Sequence, residues 1–195
     1  MHEYADRATL KALMGLETED ETRDALLDRA LAAASRGIDT STGRRFWLDD
    51  TPTTRVYSTT GRTLWREVGE VLVVDDIGST TGLTASTGGP GAWTPVTDLD
   101  TSPDNAMAKG RPITGLVLAA GGWGGMRVQV TARWGWPAVP DEIVQATLIQ
   151  AARLYKRKDS PEGITGSAEW GVVRLSRRDP DVWALIEHYV LPGFG

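Results

Sequence analysis

Two aspartates stand side by side after an apolar run in "VLVVDDI", Val71–Ile77. A carboxylate pair at a strand end has the residue types to hold a divalent cation or to do acid–base work. No third ligand and no histidine adjoins Asp75 and Asp76, so a solvated strand end accounts for them. The chain has two histidines, His2 near its start and His188 beside Tyr189, and a Ser-His-Asp arrangement would have to recruit one of them. "GGWGG", 121–125, has the glycines of a phosphate cradle but neither a GxxxxGK[ST] pattern nor a following helix. A hairpin tip, with Trp123 exposed or tucked back, is the expectation. With no cysteine, thiolate zinc sites, disulfides and cysteine nucleophiles are excluded. No catalytic, cofactor or metal site is expected, and the chain is not read as an enzyme.

The other groups able to do chemistry are basic. "RLYKRK", Arg153–Lys158, has three readings: charges complementing a helix C-terminus, a protein interface, or a DNA contact. Arg44 and Arg45 follow a helix end and read the same way. Arg174, Arg177 and Arg178 lie in "WGVVRLSRR", where contact with a partner is favoured. The molecule as a whole carries a formal charge of -5, the wrong sign for a chain built to neutralise phosphates.

The elements that position these groups change period twice. "DRATLKALMG" predicts a first helix, with Asp6 as N-cap, Leu10, Leu13 and Met14 on its apolar stripe and Gly15 as its stop. A second helix is predicted from a capping box at Thr18 and Glu21 to Gly43. Its stripe is Leu26, Leu27, Ala30, Leu31, Ala34, Ile38 and Ser41, with Asp24, Asp28, Ser35 and Asp39 opposite. From Arg44 to Trp134 the period falls to two, and "TRVYST", "TLWREV", "EVLVVDDI", "GLTAST", "GAWTPV", "ITGLVLAA" and "MRVQVTARW" read as strands of an antiparallel sheet or small barrel. Residues 88–91 and 100–105 read as loops. In "RWGWPAVPDEI", 133–143, two prolines stiffen the passage from strand to helix, and Trp134 and Trp136 are expected to cover the joint.

Helical period then returns. A third helix is predicted with Pro140 at its first position and Ile143, Val144, Thr147, Leu148, Ala151, Leu154 and Tyr155 on its stripe. Ile149 falls on the solvent face amid Gln145, Arg153, Lys156 and Arg157, which marks a partner surface. A closing helix opens at Asp179 with Pro180 first and aligns Val182, Leu185, Ile186 and Tyr189, leaving Trp183 and Val190 as a second apolar seam. The run 159–178 begins with "DSPEGITGSAE" and carries Trp170, Val172, Val173 and Leu175 without an evident home. It is expected to be mobile in the free subunit and to order on assembly, by adding a strand to a neighbour or to the portal.

Three stretches, "RWGWPAVPDEIVQATLIQAARLYKRKDSPEG" (133–163), "AAASRGIDTSTGRRF" (32–46) and "DPDVWALIEHY" (179–189), resemble the head-to-tail connector, or adaptor, proteins of long-tailed bacteriophages. The resemblance covers the helical parts, under half the chain, and the β segment is a departure from the family's nearly all-helical minimal members. It implies a structural subunit of a ring, commonly of twelve copies, that docks under the portal vertex, extends the DNA channel and offers a surface to the next neck or tail-completion protein. DNA would pass without sequence-specific binding. The location implied is the virion neck, and the host cytoplasm during assembly.

The fold class expected is therefore α+β, a four-helix frame with an antiparallel β insertion between helices 2 and 3. Its boundaries are 1–43 and 137–195 for the frame and 44–136 for the insertion. The expected interface residues are Ile149, Arg153, Lys156, Arg157, Trp170, Arg174, Arg177, Arg178 and Trp183. Eight tryptophans keep open an alternative, a Trp-rich β module binding carbohydrate or a protein ligand. The N-terminal "MHEYADRATL" lacks a basic region and apolar run, and no window approaches the ~20 apolar residues of a membrane span, so a soluble chain without an address signal is expected.

Overall fold

The structure, a computed structural model, describes residues 2–67, 69–118, 121–124, 127–157, 164–165, 173–174 and 179–191. It is α+β, with four helices and an antiparallel sheet, in the order α1 (Arg7–Met14), α2 (Asp24–Thr42), seven strands, α3 (Asp141–Lys156), a two-rung ladder, and α4 (Pro180–Ile186). The chain divides into two compact units, one of residues 1–44 and 139–195, the other of residues 45–138. Among the described residues no helix is long and apolar enough to cross a membrane.

In the helical unit, α3 packs against α1, α2 and α4. Leu10, Leu27, Ala30, Leu31, Ala34, Leu148, Ala151 and Tyr155 form one buried cluster. The caps explain where the helices start and stop. Asp6 accepts the Thr9 N–H at 2.8 Å at the start of α1, and Gly15 and Gly43 close α1 and α2 in the left-handed region. Pro140 takes the cap position of α3 rather than the first helical one. Thr18 and Glu21 do not form the expected box. Asp20 accepts from Thr22 and opens a 3-10 turn, Glu21–Arg23, that leads into α2.

The buried faces are rotated slightly from those expected. On α2, Leu27, Ala30, Leu31, Ala34, Ser35, Ile38 and Thr42 are covered, while Leu26 and Ser41 face out. Ser35 tolerates burial because its hydroxyl donates to the Leu31 carbonyl and accepts the Tyr4 N–H. On α1 it is Lys11, 3 % exposed, and not Leu13 that joins Leu10 inside. Its ammonium reaches the Thr18 carbonyl at 2.9 Å, the Asp20 carbonyl at 2.8 Å and the Asp24 carboxylate at 2.6 Å. Two carbonyl acceptors and a paired carboxylate compensate the buried charge.

The β unit holds β1 (Thr53–Ser58), β2 (Thr63–Arg66), β3 (Gly69–Gly89), β4 (Ala92–Pro95), β5 (Leu99–Ser102), β6 (Ile113–Leu118) and β7 (Arg127–Trp134). The sheet order is β1-β7-β3-β6-β5, with β2 and β4 also paired to β3. Two runs expected as separate strands, 70–77 and 82–87, are one strand. β3 shifts register between Val73 and Ile77, between Ile77 and Ser79 and again before Thr84, so turn-rich "GSTTG" bends it without ending it. β5 occupies part of a stretch expected as loop. β7 alternates as read: Val128, Val130, Ala132 and Trp134 are buried, and the residues between them are not.

The corner at 133–136 is anchored inside this unit. Trp134 is fully buried and donates to the Thr53 carbonyl at 2.8 Å, and Trp136 donates to Asp76 at 3.0 Å and meets the Phe46 ring at 5.2 Å. Gly135 between them, at φ +109°, lies so close to the Trp47 carbonyl that a Cβ would sit 1.8 Å from its oxygen. Only glycine admits that approach.

Candidate assembly surfaces

The acidic pair comes apart in the fold. Successive side chains of a strand point to opposite faces, and Asp75 meets Arg55 at 2.6 Å and the Tyr57 hydroxyl at 3.0 Å, whereas Asp76 accepts from Trp136. Burial, then the Asp75 charge, pushes the Tyr57 hydroxyl far above its ordinary range, so it stays a donor. Among the described residues no group of three His, Cys, Asp or Glu gathers that could hold a metal ion. His188 lies at the surface with its ring 4.1 Å from that of Tyr189. In "GGWGG", Trp123 is tucked back and fully buried: its N–H donates to the Glu70 carboxylate at 2.7 Å and its indole to the Glu70 carbonyl at 3.2 Å.

The basic residues of α3 separate into two kinds. Arg153 turns inward to its own chain, 2.8 Å from Asp179, and both side chains are largely covered. Asp179 also accepts the Asp181 and Val182 N–H groups, so one carboxylate caps α4 and ties it to α3. Lys156 and Arg157 are exposed at the C-terminal end of α3, where cations complement the helix dipole. Ile149 is half-buried, not on an open solvent face.

Trp183 is also half-buried and lines an open groove of about 140 Å³ in the helical unit. Gly37, Ile38 and Ser41 of α2 line one side, Val182, Trp183 and Ile186 of α4 another, and the polar Gln150 of α3 and Asp179 complete it. Small residues on α2 keep its side low, and a Cβ added at Gly37 would meet nothing within 4 Å.

Trp170, Arg177 and Arg178 lie outside the described residues, as does most of the stretch 159–178 expected to order on assembly. Ile164–Thr165 and Val173–Arg174 are described, and they pair antiparallel within the chain, Ile164 opposite Arg174.

The surface that sequence reasoning missed is on β2. Leu64 is 48 % exposed and Trp65 76 % exposed, on neighbouring positions and therefore opposite faces of a strand paired only to β3 among the described residues. The signal was present in "TLWR": two adjacent large apolar residues break the alternation that a half-buried strand needs. Trp65 is alone among the described tryptophans in being mostly exposed, while Trp47, Trp93 and Trp183 are half-buried.

No family model matches the sequence, and no curated protein matches it. Among solved structures, a chain in the neck of an empty GTA (gene transfer agent) particle, computed with C6 symmetry, is similar with a TM-score of 0.51 and 22 % identity, over 96 % of this chain and 90 % of that one. A chain in the neck of a native GTA particle, computed with C12 symmetry, has 23 % identity and a TM-score of 0.44, covering 100 % and 97 %. The first likeness spans both units, and it extends to the β strands a similarity that the sequence shows only in its helical stretches. In fold, the chain is similar to a neck protein of a phage-like particle.

Proposed function

We propose that the chain is a ring-forming connector in the neck of a phage-like particle, docking on the portal and offering its other side to the next neck or tail protein. The observation that carries this reading is the shared fold with a neck chain across nearly the whole length. Two further facts support it. That neck was computed with C6 symmetry, and closed rotational symmetry is what a ring of identical chains obeys. The described residues carry exposed apolar side chains, Leu64 and Trp65 on β2, and a groove in the helical unit, surfaces of the kind a linking subunit uses.

On this reading α1–α4 are the frame, β1–β7 the insertion, and the net charge of -5 lets DNA pass a channel without being held. Lys156 and Arg157 would meet acidic groups of a neighbour, and Ile149 would finish its burial there. The test is co-sedimentation of the purified chain with portal rings. Retention on portals at a fixed ratio is expected, and failure to bind them at any concentration contradicts the proposal. Hydrolase or nuclease activity that needs a divalent metal and vanishes in Asp75→Ala would contradict its non-enzymatic part.

A further inference from the structure

We draw no further inference here: the strongest candidate, the exposed Leu64–Trp65 patch on β2, carries nothing, because its two side chains lie on opposite faces of the strand and nothing in the structure shows what covers them.

Discussion

The helical and β units solve burial differently. The helical unit uses caps and a buried charge: Asp6, Asp20 and Asp179 at helix or turn starts, and Lys11 held by two carbonyls and Asp24. The β unit uses aromatic bulk and backbone contact, with Trp123, Trp134 and Trp136 hydrogen-bonded inside it and Gly135 pressed on the Trp47 carbonyl. The difference teaches that the helical unit depends on which polar groups are present, whereas the β corner depends on a side chain being absent at Gly135. The two units also differ outwardly, one presenting a recess and the other a projecting tryptophan.

Substitutions at four positions sharpen that contrast. Gly135→Val should have the largest effect, at least about 4 kcal/mol, because a side chain would combine an unfavourable φ with a backbone collision. Loss of near-ultraviolet tryptophan dichroism would report it. A variant with native dichroism and melting would show that the corner is not held by contact.

Lys11→Met should cost about 3 kcal/mol, since it strips Asp24 of its closest partner and leaves two carbonyls without their donor. Urea titration followed by helical dichroism measures it. An unchanged midpoint would mean that Arg7, 3.3 Å from Asp24, suffices.

A smaller effect is expected at the α1 cap. Hydrogen bonds from the Thr9 hydroxyl and N–H hold the Asp6 carboxyl below its ordinary 3.8. Its contribution is therefore complete above about pH 4 and is lost as the pH falls through the folded value. Asp6→Ala should cost about 1 kcal/mol at neutral pH, and Asp6→Asn should keep the cap while removing its acid sensitivity. Melting curves of the three proteins between pH 2 and 7, a range of about five units around that carboxyl, give the answer. The same acid dependence in Asp6→Asn would assign it to another carboxylate.

Trp65→Ala should change stability least, within about 0.5 kcal/mol, because the side chain is mostly in water. A loss of several kcal/mol would mean that the indole serves its own fold.

What the sequence made legible follows from locality. Asp6, Gly15, Gly43, Asp179 and Pro180 sit where local backbone chemistry puts them, so four helices and an antiparallel sheet could be read. The turn-rich middle of β3 could not, because pairing with β6 and β7 overrides a break that five small polar residues suggest. The Lys11 burial depends on carbonyls seven and nine residues away, and the Gly135 approach on Trp47, which no periodicity reveals. Among the candidate surfaces, Trp183 reached a groove by helix periodicity alone. Arg153 was read as outward because its partner, Asp179, lies 26 residues further along the chain. Leu64 and Trp65 were legible as a broken alternation but were read only as strand.

Electron microscopy of the chain mixed with portal rings tests the central claim most directly. The proposal predicts a continuous ring of identical subunits on one end of each portal, coaxial with its channel. Portals that remain bare, or that carry scattered single copies without rotational order, would contradict it.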